Sequence, residues 1–383
     1  MNTIYDVAIL GAGIAGSALA KLLADLGWNV ILLDRKRFPR HKVCGEFLSP
    51  EAVSMLDALG VRSAVEQLAP SRISRTRLMA PHGNGIEIPL PGVALGISRY
   101  ALDSTLHSAA QYSGATVRTG TTVICVNPKR KERGYIIETK QGAIRQAYET
   151  RAVITAWGAN GRIPVAEKRL NRTAQNHYVG IKSHFKGIEM DAVVELYFFD
   201  GGYLGLAPVE DGTINAAALF KRSAFPTSPK TILEWIDTAR SRNPKLDQKL
   251  ANAVPVLGTQ AAVAPVNLSY KPQAWDEIPQ LGDAALMIPP LCGDGMSMAL
   301  RSAQLCAPLA DRYLKGELSL SDWQHAYSQS VLQEFKGPMQ WGRVLQTLVD
   351  RPFLPRLLLR AAGLMPGIAY RLVQATRLPV QNS

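Results

Sequence analysis

The chain is poor in the residues that build metal centres and disulfide frameworks. Four cysteines (Cys44, Cys125, Cys292 and Cys306) and six histidines are spread over 383 residues. Their spacing matches no zinc motif and no dense disulfide pattern, so no metal ligands and no stapled secreted scaffold are expected. No apolar run reaches the roughly 20 residues that span a bilayer. The N-terminus lacks the charged, apolar and small-residue order of a secretory signal, so a cytoplasmic, reducing setting is the expectation. Acids are also scarce: 31 Asp and Glu face 43 Lys and Arg, a formal net charge of +12. The excess is not gathered in one tract. PKRKERG (Pro128 to Gly134) is short, lies between strand-like runs, and reads as a solvated hairpin. With no zinc-finger or phosphate-tracking arginine motif, a nucleic-acid partner is not expected. No Ser-His-Asp or Cys-His centre stands out either.

What is present is an ordered set of glycine turns in a globular chain, 47% hydrophobic and 19% charged, whose length suggests two domains. Tyr5 to Leu10 reads as a buried strand, Gly11 to Gly16 as a turn, Ser17 to Leu26 as a helix, and Asn29 to Leu33 as a second strand ending at Asp34. GxGxxG stands here in its required context. Gly11 permits the tight turn, Gly13 lets the backbone approach a pyrophosphate, and Gly16 allows close helix–strand packing, with Ala15 on the same helix start. Asp34 can accept bonds from ribose hydroxyls and would repel a 2′-phosphate, with Arg35 and Lys36 immediately after it. Beyond about Tyr178, VGIKSHF, DAVVELYFF, GGYLGLAPV and TINAAALF read as antiparallel strands. QLGDAALMIPPLCGDG then returns to glycine turns, so the β-rich part is an insertion within the first domain.

Taken together these motifs resemble the FAD-dependent family that joins aromatic-ring hydroxylases, flavin-dependent halogenases and geranylgeranyl reductases, over about residues 4 to 335. RHKVCGEFLSPEAV is closest to the reductase-like branch. The resemblance places Cys44 and Gly45 by the flavin. ISRYALDSTL carries over Arg99 as a residue near FAD, with Asp103 structural. LGDAALMIPPLCGDGMSMAL resembles the second FAD fingerprint. It implies Asp283 at the ribityl or pyrophosphate part, and Pro290, Gly293, Gly295 and Met296 along the isoalloxazine. GYLGLAPVEDGTINAAA implies Tyr203, Leu206, Pro208 and Asn215 on the substrate cavity. One element departs: VITAWGANGRIP holds Ala156 or Trp157 where the family usually has an acid. That departure bears on how the nicotinamide electron donor, NADPH or NADH, would be handled.

The implied fold is α/β, a three-layer Rossmann-like FAD-binding domain with an inserted antiparallel β-sheet substrate domain and a helical C-terminal segment. The FAD-binding domain is expected over residues 1–75, 93–175 and 274–338, the substrate domain over 76–92 and 176–273, and a helical cap over 339–383. From Trp341 onward the tail carries Arg343, Arg351, Arg356, Arg360, Arg371 and Arg377 against the single acid Asp350, and Pro352, Pro355 and Pro366 are expected to break it into short helices. A cap over the substrate is the first reading. A peripheral contact with an anionic membrane is the second. The activity implied first is a monooxygenase that oxidises a bulky apolar or aromatic, natural-product-like substrate through a flavin C4a-hydroperoxide. The alternatives are a geranylgeranyl-reductase-like enzyme acting on isoprenoid or other alkene double bonds, and a non-catalytic flavin-binding protein. No catalytic group is assigned. The candidates are His41, Cys44, Glu46 and Cys292, with His177 a further histidine to test. Cys44 and Cys292 are weighed as redox partners against simple buried packing residues, and the packing reading is preferred.

Overall fold

The computed structural model of the chain describes residues 4–82, 85–129, 133–161, 178–225, 229–269, 271–351 and 366–378. It opens with β1 (Ile4–Leu10), α1 (Ile14–Asp25) and β2 (Val30–Asp34). Both faces of β1 are apolar because it runs in parallel between β2 and a later strand, covered on each side. Next come β3 (Phe47–Leu48), α2 (Ala52–Ala58), α3 (Arg62–Glu66), β4 (Ser71–Met79), β5 (Ile86–Gly96) and α4 (Arg99–Tyr112). Ser98 caps α4 by accepting the Ala101 N–H. β6 (Thr116–Thr119), β7 (Thr122–Pro128), β8 (Tyr135–Gln141) and β9 (Ile144–Thr155) complete the first sheet, in the order β6-β2-β1-β9-β8-β7. The first four of these are parallel, and β9, β8 and β7 form an antiparallel meander.

The second sheet takes β10 (Tyr178–Lys186), β11 (Val193–Phe199), β12 (Gly202–Pro208), β13 (Ile214–Lys221) and β14 (Val254–Val266), with α5 (Ile232–Arg242) and α6 (Pro244–Lys249) between the last two. Its order is β14-β10-β13-β12-β11-β4-β5-β3. One face buries Ile181, Phe185, Leu204, Leu206, Ala216 and Phe220 against Trp235 and Ile236 of α5. The other face, offset by one residue along each strand, turns toward the first sheet. After the short hairpin β15 (Trp275–Asp276) and β16 (Ile278–Pro279), α7 (Gly295–Leu314) packs on α1 and α8 (Leu320–Val349) packs on α7. α9 (Pro366–Ala375) then lies against β5 and α8.

Two differences from the sequence reading have clear causes. β4 and β5 run through residues 75 and 92, where domain edges were expected, because pairing between the two strands continues to Ser71 and Gly96. α8 runs unbroken through residue 339, where the helical cap was expected to begin, and ends at Val349 before Pro352. A capping box at Ser319 starts it, and a stripe of Trp323, Tyr327, Val331, Phe335 and Met339 holds it across Pro338. Pro352, Pro355, Arg356 and Arg360 lie outside the described residues, as does His177. No helix among the described residues is long and apolar enough to cross a membrane.

Candidate functional site

The two sheets enclose a cavity of about 870 Å³, toward the upper end of the ~300–1,000 Å³ usual for small-molecule sites. At one end it is lined by Gly11, Gly13 and Ala15 of the first turn, by Asp34 and Arg35, and by Arg40, Lys42 and Arg99. Gly11 has φ +113°, and a Cβ there would sit 2.4 Å from the Ala156 carbonyl oxygen. Gly16 is closed in the same way, its Cβ position 1.9 Å from the Gly11 oxygen, so it serves packing and does not line the cavity. Gly13 is different: the nearest atom to its Cβ position is Arg99 Nη2 at 3.6 Å, which leaves room for a ligand to approach the backbone.

Cations converge on this end. Arg99 is 5% exposed and holds Asp103 through Nε and Nη2 at 2.9 Å each. Burial works against its charge, but Asp103 prevails and raises its proton affinity. Arg40 Nε is buried with no partner among the described residues. Lys42 Nζ lies 3.8 Å from Asp283, and burial, then Arg99, pull its pKa below the ordinary range. Asp34 Oδ2 and Oδ1 accept the backbone N–H groups of Ala12 and Lys36 at 2.9 and 2.8 Å, fixing the carboxylate at the end of β2. An orphaned guanidinium nitrogen, a glycine cradle and a ring of cations fit a dinucleotide diphosphate, with Asp34 placed for the ribose.

Farther in, the cavity is lined by Cys44 and Gly45, by Pro290, Gly293, Gly295 and Met296, and by Asp283, so both segments expected beside a flavin meet here. Nothing lies within 4 Å of the Cβ positions of Gly45 and Gly295, which leaves both backbones open to a planar ring. Cys292 also lines the cavity, is 6% exposed, packs near Gly342 of α8, and has its thiol pushed up by burial. All four cysteines are free. The floor comes from the second sheet: Gly180, Val194, Leu196, Tyr203, Gly205, Ala217 and Val263.

The four residues expected on this floor divide. Tyr203 lines the cavity. Leu206 does not, because side chains alternate along β12 and Leu206 is fully buried on the opposite face with Trp235. Pro208 ends β12 with its carbonyl against Gly96. Asn215 acts indirectly, its Nδ2 donating to the Cys44 carbonyl at 3.0 Å and so holding the loop that carries Cys44 and Gly45.

A buried cluster that sequence reasoning missed stands behind this loop. Glu46 is fully buried and adopts φ +54°. Its Oε1 accepts the Arg99 backbone N–H at 2.8 Å and a bond from Lys182 Nζ, and its Oε2 lies 2.5 Å from His184 Nε2. Burial alone would raise the Glu46 pKa, but the His184 bond and the Lys182 charge hold it below the carboxylate range. Glu46 is therefore an ionised tie between α4, β10 and the loop. His41 lines the cavity with its ring 5.2 Å from that of His184. Burial, then Lys182 and His184, bring its pKa down to about 4. His41, Glu46 and His184 together have a metal-like donor set. Lys182 Nζ sits among them, bonded to Glu46 and 3.0 Å from His184 Nε2, and supplies the positive charge itself. VGIKSHF carried the signal: Val179, Ile181 and Phe185 mark one buried face, so Lys182 and His184 had to face the other layer.

Comparison with known proteins agrees with this geometry. The family model described as FAD binding domain matches residues 4–330. A menaquinone reductase of Mycolicibacterium smegmatis is 28% identical over 331 residues, covering 81% of this chain and 77% of that protein. Digeranylgeranylglycerophospholipid reductase 2 of Methanopyrus kandleri is 27% identical over 350 residues, covering 86% and 83%. Among solved structures, a flavin-dependent brominase superposes with a TM-score of 0.79 at 18% identity, over 98% of this chain and 93% of its own. A myxobacterial chondrochloren halogenase gives 0.74 at 21%, over 89% and 82%. The structural likenesses show the shared fold.

Proposed function

The chain belongs to the FAD binding domain family and is an FAD-dependent oxidoreductase; from that premise we propose that it is a reductase that saturates a carbon–carbon double bond in a bulky, apolar, isoprenoid-like substrate. The observation that carries this reading is the two-ended cavity. Its polar end suits a dinucleotide, and its floor is built from glycine, alanine and aliphatic side chains with Tyr203, and leaves room for a long hydrocarbon. The names of the two reductases, similar over more than four-fifths of this chain, point the same way. The oxygenase expectation draws its support from proteins that share the fold at lower identity.

FAD, when bound, supplies the hydride chemistry, and the protein supplies placement and exclusion of water. Arg99, Arg40 and Lys42 would neutralise the diphosphate, and Asp34 would hold the adenosine ribose. The backbone N–H groups at Gly295 and Met296, opening α7, would face the electron-rich edge of the ring. Asn215 keeps the Cys44 carbonyl fixed, so the loop that carries Gly45 presents its backbone to the cavity. We take NADH or NADPH as the electron source, and rapid mixing of the oxidised holoenzyme with each separates them. The substrate class also favours a peripheral membrane contact through the tail, which co-sedimentation with anionic vesicles tests.

The deciding experiment reduces the holoenzyme without oxygen and offers a polyprenyl quinone or a geranylgeranyl lipid. Gain of two hydrogens in the product by mass spectrometry supports the reading. Incorporation of labelled oxygen, once air is admitted and with no saturation beforehand, supports the monooxygenase instead.

A further inference from the structure

Behind the turn that faces the flavin position lies a set of buried charges that the fold alone does not require. Asp294, between Gly293 and Gly295, is fully buried, and Glu51, leading into α2, is 5% exposed. Asp294 Oδ2 and Glu51 Oε1 are both shut off from water, and among the described residues neither meets a donor from another group. The other Asp294 oxygen accepts a bond of 2.5 Å from Arg377 Nη1, beyond the end of α9. The Arg377 guanidinium also lies over the Phe47 ring, 5.5 Å from its centroid, and lines the cavity.

We propose that Glu51 and Asp294 share one proton behind the flavin-facing turn, that Arg377 balances the charge of the second carboxyl, and that this pair couples reduction of the flavin to uptake of a proton. The proposal rests on FAD lying in this cavity along Pro290 to Met296, and does not depend on which substrate is reduced.

Charge counting supports it. Two carboxylates and one guanidinium are neutral only with one additional proton, and a bare charge in this interior is strongly disfavoured. A carboxyl O–H donating across the pair also satisfies both orphaned oxygens, which no other side chain among the described residues does. Burial comes first among the causes that push Asp294 up to about 8, and the Glu51 side chain adds to it while Arg377 opposes it. The remaining titratable group at the turn, Cys292, is pushed up by burial and by Asp294 and stays a neutral thiol.

Reduction adds negative charge beside the turn, which raises the proton affinity of an adjacent acid. Below about pH 8 Asp294 keeps its proton before and after reduction, and the coupling contributes nothing. Above it the oxidised protein has lost that proton and reduction restores it. The potential of the bound flavin then falls more steeply with pH, by about 30 mV per pH unit, the two-electron equivalent of a tenfold change.

Two measurements on the holoenzyme test the proposal. In the infrared, the oxidised protein should show a deuterium-sensitive carboxylic acid band below pH 8 that Asp294→Asn and Glu51→Gln each remove. A wild-type protein with no such band overturns the shared proton. In a reductive titration across the same pH range, wild type should steepen above about pH 8 and Asp294→Asn should not. Equal slopes in the two overturn the coupling, and if the infrared band is nonetheless present, they identify the flavin placement as the faulty premise.

Discussion

Glu46 and His184, 138 residues apart in the chain, meet through Oε2 and Nε2 at 2.5 Å inside a layer where neither is more than 5% exposed. Lys182 completes the group from the same strand face. This contact joins the loop on the cavity wall to the sheet that floors the cavity, so the geometry of Cys44 and Gly45 depends on residues of the second sheet.

Removing the cation from this cluster should be costly. Lys182→Met leaves an ionised carboxylate buried without its countercharge, and breaking a buried pair from one side costs about 3–5 kcal/mol. Urea denaturation should show a loss of that order. Adding Glu46→Gln to Lys182→Met should recover part of it, since both charges are then gone. A loss below ~1 kcal/mol, the range of exposed pairs, would contradict the buried pairing.

His41 makes stability depend on pH. Its folded pKa, about 4, lies below the ordinary value of 6.5, so between these limits the unfolded chain binds a proton that the folded chain refuses. Stability should therefore fall as pH drops from 6.5 toward 4, and the His41→Asn protein should lose that part of the slope. Denaturant midpoints across this window measure it, and identical slopes in the two proteins would refute the assignment.

Gly11 and Gly13 should fail differently. Gly11→Ala forces a left-handed residue and places a methyl 2.4 Å from the Ala156 oxygen, so the protein should not fold stably. Gly13→Ala meets only Arg99 Nη2, at an ordinary 3.6 Å, so the fold should survive while the methyl obstructs the approaching diphosphate. Circular dichroism and FAD content separate the two. Full FAD occupancy in Gly13→Ala would place the cofactor elsewhere.

Arg99 faces the same gap. Arg99→Met should weaken FAD binding about 10- to 100-fold, the worth of one charge-assisted bond of ~1.5–3 kcal/mol. It also leaves Asp103 buried without its partner, so the thermal midpoint should drop as well. Asp103→Asn keeps the guanidinium and should lower the midpoint with a smaller effect on FAD. Fluorescence titration of the two variants distinguishes a cofactor contact from a structural pair.

The opening of the first sheet could be read in advance because its rules are local. A continuous apolar run at Tyr5 to Leu10, three glycines and a terminal Asp34 specify a strand, a turn and a second strand within one stretch of chain. The glycine turns that line the cavity were legible for the same reason, since each is recognisable on its own. The cluster at Lys182 and His184 was not, because its partner Glu46 comes from another part of the chain and no spacing rule links them. Leu206 was misplaced for a simpler reason. It was assigned by likeness of segment, whereas the alternation that sends Tyr203 and Gly205 inward sends Leu204 and Leu206 to the α5 side. The role of Arg377 depended on the tail folding back to the turn at Asp294, which an arginine count cannot show.

The floor itself offers the sharpest test of the substrate reading. Ala217 lines the cavity opposite Gly205 on β12 and Lys182 on β10, so a larger side chain there has no direction but inward. Ala217→Phe should leave FAD content unchanged and selectively lower turnover of long polyprenyl substrates while sparing a short analogue. Leu206→Ala, from the opposite face, should cost about 2–5 kcal/mol of stability without altering that preference. Competition assays with two chain lengths, read by mass spectrometry, give the ratio directly. If Ala217→Phe lowers both substrates equally, the long-chain path does not cross this floor, and the hydrocarbon must enter from the side of Met287 and Leu291 instead.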